Sequence, residues 1–281
     1  MHWLLTGPLS IEKLTVKIPD LPASLQGIKL VQMSDFHYDG VRLSDKLLEK
    51  AIIESNEAEP DLVFLTGDFI TRKPTHIYQL TEKLKHLESR YGIYAVLGNH
   101  EHYHKGANGE VATALTSIGV HVLCNQIAYP LGKELPIVGL NDYRSRNFNP
   151  TPVMNQLDPK IPCIVLCHNP DGAEILKKWR VDLQLSGHTH GGQINIPYFG
   201  SITKLITLQS KIRRRIPHKL RRFIPFMKKD LIGTVKNLEW LQGYHKVGKN
   251  QLYVNRGLGT YAPGRLFCPP EVTVITLAVD G

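Results

Sequence analysis

Five short apolar runs recur between residues 28 and 190, and each ends directly in a polar loop rich in Asp, Asn, His and Gly. Residues 28–33 (IKLVQM) lead through Ser34 into Asp35-Phe36-His37, and residues 61–66 (DLVFLT) lead into Gly67-Asp68. Residues 92–97 (GIYAVL) precede Gly98-Asn99-His100-Glu101, residues 163–167 (CIVLC) precede His168, and residues 183–186 (LQLS) precede Gly187-His188-Thr189-His190-Gly191. Near-continuous apolar strands belong in sheets covered on both faces. Between the first three lie helical spacings. Residues 44–56 place Leu47, Leu48, Ala51, Ile52 and Ile53 on one face behind Ser44 as N-cap, 75–89 run through Ile77, Leu80, Leu84 and Leu87, and 109–118 form a third helix. Strand, helix, strand, helix, strand implies parallel pairing with right-handed crossovers. The second half offers short strands at 121–124, 135–140, 163–167, 183–186, 252–255 and 272–278 with fewer helices. The expectation is an α/β fold in which one mixed sheet packs on another with helices outside. With no internal repeat or low-complexity linker, residues 1–281 are expected to form a single domain carrying an insertion at about 198–235.

Apolar residues make up 42% of the chain and charged residues 21%, which excludes wholesale disorder. Cys124, Cys163, Cys167 and Cys268 fit no CxxC spacing and are expected as buried thiols in a reducing compartment. The first residues lack the basic start and long apolar run of a signal peptide, and no stretch reaches the ~18 apolar residues of a membrane span. A cytoplasmic location is expected, with peripheral contact to the inner face of the membrane. The net charge of +9 is local: residues 201–230 hold ten Lys or Arg against Asp230 alone, leaving the rest of the chain close to neutral.

Ligands of open α/β sheets gather outside the carboxyl ends of strands, so five polar loops at five strand ends can share one crevice. Carboxylates, an amide oxygen and imidazoles without thiolate form a donor set suited to Mn, Fe, Zn, Co or Ni rather than Ca or Mg. In Asp35-x-His37 and His188-x-His190 the partners lie two apart, and on extended backbone such residues point the same way. Glycines at 67, 98, 187, 191 and 192 allow bends and close approach. Two cations ~3.5–4 Å apart can clamp a phosphoryl group and activate water, and a carboxylate such as Asp68 could bridge them.

The order D-x-H, G-D, G-N-H-E, H, G-H-x-H, spanning Asp35 to His190, resembles the calcineurin-like metallophosphoesterase superfamily. The tail VNRGLGTYAPGRLFCPPEVTVITL, with Arg256-Gly257-Leu258-Gly259, resembles the YkuE/YaeI-like bacterial branch. The resemblance implies a four-layer α/β/β/α sandwich of two mixed sheets with flanking helices. It also implies residue roles. Asp35, His37 and His190 would hold a first divalent metal, Asn99, His168 and His188 a second, with Asp68 bridging. His100 would bind no metal but protonate the leaving alkoxide or stabilise the transition state. A metal-bridging hydroxide would be the nucleophile, without a phosphoenzyme. Some relatives in this branch cleave the pyrophosphate of UDP-2,3-diacylglucosamine, which the resemblance offers as a candidate for a lipid-linked or membrane-proximal substrate.

A lone Asp or His after a strand is usually a cap or turn residue; five such loops in order outweigh that. His102 and His104 are expected as solvated loop or rim residues, and His76, His86, His121, His218 and His245 carry no signal beyond packing. Asp39, Asp142 and Arg146 are expected to be structural. Residues 211–229 (KIRRRIPHKLRRFIPFMKK) thread Ile, Leu, Phe and Met among the charges, with Pro217 and Pro225 dividing any helix. An anionic membrane surface touching residues 204–229 ranks above nucleic acid, since stacking aromatics are limited to Phe223 and Phe226; a solvated basic loop is the plain alternative. A nucleic-acid or nucleotide phosphodiesterase and a non-enzymatic metal-binding scaffold at a membrane surface remain the alternative functions.

Overall fold

The computed structural model describes residues 6–196, 200–201 and 235–280. The expected basic insertion therefore lies almost wholly outside the described residues. The chain runs β1 (Ser10–Ile18), β2 (Lys29–Met33), α1 (Asp45–Glu57), β3 (Leu62–Leu65), α2 (Ile77–Leu84), β4 (Ile93–Ala95), α3 (Ala107–Thr116) and β5 (His121–Val122). It continues through β6 (Gln126–Ala128), β7 (Ile137–Gly139), α4 (Thr151–Met154), β8 (Ile164–Leu166), α5 (Gly172–Leu176), β9 (Leu183–Ser186), β10 (Asn195–Ile196), β11 (Gly200–Ser201), β12 (Gly243–Val247), β13 (Asn250–Val254) and β14 (Glu271–Val279).

These strands form two mixed six-stranded sheets, ordered β1-β14-β2-β3-β4-β5 and β12-β13-β9-β8-β7-β6, and a small β10–β11 ribbon. In the first sheet β2 to β5 run parallel, and β14 is antiparallel to β2. In the second, β13, β9, β8 and β7 run parallel, flanked by antiparallel β12 and β6.

The side-chain period of two divides each central strand between two cores. On β3, Leu62 and Phe64 pack toward Leu166, Leu183 and Leu185 of the second sheet. Val63 and Leu65 face the other way, onto Leu48 and Ile52 of α1, Ile77 and Leu80 of α2, and Val111 and Leu115 of α3. Behind the second sheet, Val138 and Val165 meet Val153 and Met154 of α4 and Leu176 of α5. The layers are thus α/β/β/α, as expected, and double-sided coverage explains why β3 reads LVFL without a polar residue. Each such buried aliphatic side chain contributes about 1.5–3 kcal/mol. Fully buried Gln32 ties the sheets together, its Nε2 donating to Thr66 Oγ1 and to Ser186 O, both at 2.9 Å.

Some boundaries differ from the sequence expectation. Ser44 caps α1 as expected, its Oγ accepting from Leu47 N at 3.3 Å. The second helix is shorter at both ends than 75–89, and the third starts earlier, entered through Gly106 at φ 81°. Strands β1, β6 and β12 were not anticipated. In β1, Lys13, Thr15 and Lys17 are exposed while Val16 and Ile18 are buried, an edge-strand alternation with charges on the open face. Cys163, Cys167 and Cys268 are buried, but Cys124 is exposed, because it follows the two-residue strand β5 into a surface turn. Among the described residues no helix is long and apolar enough to cross a membrane.

Candidate metal centre

The loops leaving the carboxyl ends of β2, β3, β4, β8 and β9 meet between the sheets. Three groups there each hold ligand atoms within 4.8 Å of one another: Asp35, His37 and His190; His37, Asp68 and His100; and Asp68, His168 and His188. The groups overlap at His37 and Asp68. His37 Nε2 lies 3.1 Å from His190 Nε2 and 3.6 Å from Asp68 Oδ2, and His190 Nε2 lies 3.4 Å from Asp35 Oδ1. His168 Nε2 stands 3.1 Å from Asp68 Oδ2, and His100 Nε2 is 3.9 Å from the same oxygen. All seven expected ligands and His100 are therefore brought to one neighbourhood, Asn99 through the loop it shares with His100.

The way they converge corrects the expectation of extended backbone. Asp35, His37, Asp68, His188 and His190 all have positive φ, at 52°, 43°, 56°, 72° and 51°. These are left-handed conformations that L-residues adopt at a cost of about 1–2 kcal/mol each. Sharp loop backbone, not strand alternation, aims these side chains. Gly67, at φ 93°, makes the turn into Asp68, and a Cβ there would meet Gly98 N at 2.6 Å and His168 Nδ1 at 2.8 Å.

The imidazoles are oriented for ligation. Nδ1 of His37 faces Ile70 O at 3.2 Å, that of His168 faces Thr66 O at 2.6 Å, and that of His190 faces Gly259 O at 3.2 Å. A carbonyl can only accept, so each Nδ1 carries the proton and each Nε2 turns its lone pair inward, the arrangement that orients metal-binding histidines. Asn99 Oδ1 and His168 Nε2 are among the buried side-chain atoms without a hydrogen-bond partner. His168 Nε2 is close to Asp68 but not aligned for a hydrogen bond with it. Asn99 Nδ2 donates to Tyr103 Oη at 2.6 Å, which leaves the amide oxygen as the unengaged end. Buried polar atoms need partners, and a set of carboxylate oxygens, an amide oxygen and imidazole nitrogens fits divalent transition metals.

Charge follows the same geometry. Burial holds His37 well below the ordinary imidazole range and also lowers His190. Burial would do the same to His168, but Asp68, then Asp35 and Asp142, outweigh it and push His168 up to about 10. Asp68 is held well below the carboxylate range: burial opposes this, and His168 and His100 overcome it. A proton held on His168 Nε2 beside Asp68 would leave on metal binding, which frees the inward lone pair for ligation.

The expectation gave no role to four residues that build this place. Glu101 is fully buried, and its carboxylate accepts from Asp68 N, Phe69 N, Ile70 N and Gly98 N at 3.1, 2.8, 3.2 and 2.7 Å. Its presence in G-N-H-E was the available signal. Tyr103 holds Asn99, and Tyr261 Oη lies 3.2 Å from His37 Nδ1. Arg265 lies behind His190, and no local pattern announced it. Asp39 accepts from Val41 N, Arg42 N and Thr71 Oγ1 and pairs with Arg42, so it orders its loop. Asp142 is buried with Oδ1 accepting from Arg144 N, Arg146 is exposed, His104 is exposed and His102 is half-buried.

This fold and this cluster define a phosphoester hydrolase built around a metal centre. Residues 28–192 match the family model of the calcineurin-like phosphoesterases, and the chain belongs to that family, whose members bind two divalent metals. It is 33% identical over 272 residues to the uncharacterized metallophosphoesterase YkuE of Bacillus subtilis, covering 94% of this chain and 83% of that one. It is 30% identical to the phosphodiesterase YaeI of Escherichia coli, over 89% and 82% of the two chains. It is 28% identical to the UDP-2,3-diacylglucosamine pyrophosphatase LpxG of Chlamydia muridarum, over 95% and 88%.

Proposed function

We propose that this chain hydrolyses a lipid-linked or membrane-proximal phosphoester with two divalent cations. One would be held by Asp35, His37 and His190, the other by Asn99, His168 and His188, with Asp68 shared between them. The observation that carries the reading is the overlap of three His/Asp groups at His37 and Asp68, with Nε2 lone pairs facing inward. The donor set favours Mn, Fe, Zn, Co or Ni. When bound, the cations would polarise phosphoryl oxygens and lower the pKa of water held between them.

The chain's own groups supply the rest. The side chains of His100 and His190 are 17% and 11% exposed, against 0–2% for Asp35, His37, Asp68 and His168, so a phosphoryl group approaches past His100. His100 Nδ1 faces Thr71 O at 2.5 Å and carries the proton that this carbonyl accepts. Nε2 then faces the centre, where a doubly protonated ring would deliver its Nε2 proton to the departing alkoxide and revert to the neutral Nδ1–H form, or would stabilise charge in the transition state. The burial of the remaining donors excludes bulk water from the reacting oxygens.

Two observations favour an amphiphilic substrate such as UDP-2,3-diacylglucosamine, on which the Chlamydia muridarum relative is named as acting. Leu266 and Phe267 are 52% and 67% exposed on the loop that Arg265 anchors behind His190. The ten cationic residues of 201–230 fit an anionic surface. We place the insertion within one domain spanning residues 1–281. Turnover of bis-p-nitrophenyl phosphate with Mn²⁺, and of UDP-2,3-diacylglucosamine in mixed micelles, tests the two levels separately. The metal-dependent reading expects stimulation by Mn²⁺ and its loss in Asp68→Ala and His100→Ala. No metal-stimulated hydrolysis of any phosphoester would overturn it, whereas diester turnover without lipid turnover would overturn only the substrate.

A further inference from the structure

The loop from Arg256 to Cys268 folds around one buried cation. Arg265 is 7% exposed and forms no ion pair with an acid among the described residues, unlike neighbouring Arg256, whose guanidinium lies 3.0 Å from Glu271. Its donors are spent on four carbonyls and one hydroxyl instead. Nη2 reaches Gly259 O at 2.6 Å, Arg256 O at 2.8 Å and Gly257 O at 3.1 Å, Nη1 reaches Cys268 O at 3.3 Å, and Nε reaches Thr260 Oγ1 at 3.2 Å. A guanidinium taken from water without a carboxylate is costly, and a planar fork over several carbonyls is the arrangement that satisfies it.

The backbone thus gathered is the wall of the Asp35 half of the centre. Gly259 O, which accepts from Arg265, also accepts from His190 Nδ1 at 3.2 Å, and Arg265 Nη2 itself lies 3.5 Å from that ring nitrogen. Gly259 N donates to Asp35 O at 2.7 Å, and Leu258 N donates to Ser34 O at 3.0 Å. Gly257 lies so close that a Cβ on it would meet Asp35 Cβ at 2.5 Å. His168 of the other half is oriented instead by Thr66 O, just past the end of β3, 2.6 Å from its Nδ1. We propose that Arg265 is a positioning residue for one half of the centre: it fixes the Arg256–Gly259 backbone that orients His190 and backs Asp35. Outer partners of metal ligands typically change metal affinity 10–100-fold. This inference rests on the proposed metal site and deepens it.

The test is Mn²⁺ titration of the metal-stripped full chain by calorimetry, with circular dichroism of the apo forms. Wild type is expected to take two Mn²⁺. Arg265→Lys keeps the charge but cannot span the carbonyls, and should bind one of the two at least tenfold more weakly with the other within about twofold. The weakened site should be the one that His190→Ala abolishes, so Arg265→Lys/His190→Ala should bind no worse than His190→Ala. Arg265→Gln, a neutral planar side chain in the same cage, is the second variant and should weaken the same site. Folded variants with wild-type affinity at both sites, or with both sites weakened equally, would overturn the assignment while leaving the metal centre standing. Unfolding of both variants would make the role purely structural and overturn it as well. Wild type that takes up no Mn²⁺ would overturn the metal site and this inference together.

Discussion

Glu101 Oε2 accepts the backbone N–H of Asp68 at 3.1 Å and that of Gly98 at 2.7 Å, so one buried carboxylate pins the turns after two neighbouring strands. With Oε1 on Phe69 and Ile70, four backbone donors depend on it. Glu101→Gln would turn an amide N–H₂ toward two of those donors. Fully buried unsatisfied pairs cost 1–3 kcal/mol each, so stability to urea should fall by about 3 kcal/mol. Metal affinity should fall in the same variant, since Asp68 loses its anchor.

Tyr103→Phe removes only the hydroxyl that holds Asn99 Nδ2 at 2.6 Å. The amide is then free to rotate its oxygen away from the centre. Affinity for one divalent ion should drop by roughly 10–100-fold, with little change in thermal stability because Tyr103 is 57% exposed. Calorimetric Mn²⁺ titration beside a melting curve checks both halves of this expectation.

The thiols give a pH-dependent prediction away from the centre. Burial pushes Cys163 up to about 12 from an ordinary value of 9.0, and raises Cys167 and Cys268 too. Partial burial also raises Cys124, which is nevertheless exposed. At pH 8 a thiol reagent should modify one cysteine per native chain and four after denaturation. The buried thiols are protonated in the folded chain at pH values where the unfolded chain has lost those protons. The stability these thiols contribute is therefore intact below pH 9 and should decline as pH rises from 9 toward about 12, as urea melts across that range would record.

Leu266→Ser/Phe267→Ser tests the membrane-proximal reading without touching the ligands. Both side chains are exposed, so folding and bis-p-nitrophenyl phosphate turnover should stay within about twofold. Sedimentation with vesicles containing 30% phosphatidylglycerol should weaken several-fold; unchanged sedimentation would count against this loop as the contact.

Much of this arrangement was legible in the residues, and the gaps have physical causes. The runs DLVFLT and CIVLC declare strands buried on both faces, because nothing polar interrupts them, and their polar ends mark one edge of the sheets. β1 was missed because SIEKLTVKI is half wet, and alternation in nine residues looks weak beside charged surface. The left-handed turns at Asp35 and His188 left no signal because neither is glycine. The carbonyl cage of Arg265 depends on a loop closing on itself, a contact that local spacing does not encode.

The left-handed conformations of five residues in the candidate metal centre have an engineering consequence. Grafting their side chains onto straight strand ends of another scaffold would copy the chemistry and lose the aim. A successful transplant would have to carry whole corners, with Gly67, Glu101 and the Arg265-bound loop as the braces that keep each corner bent.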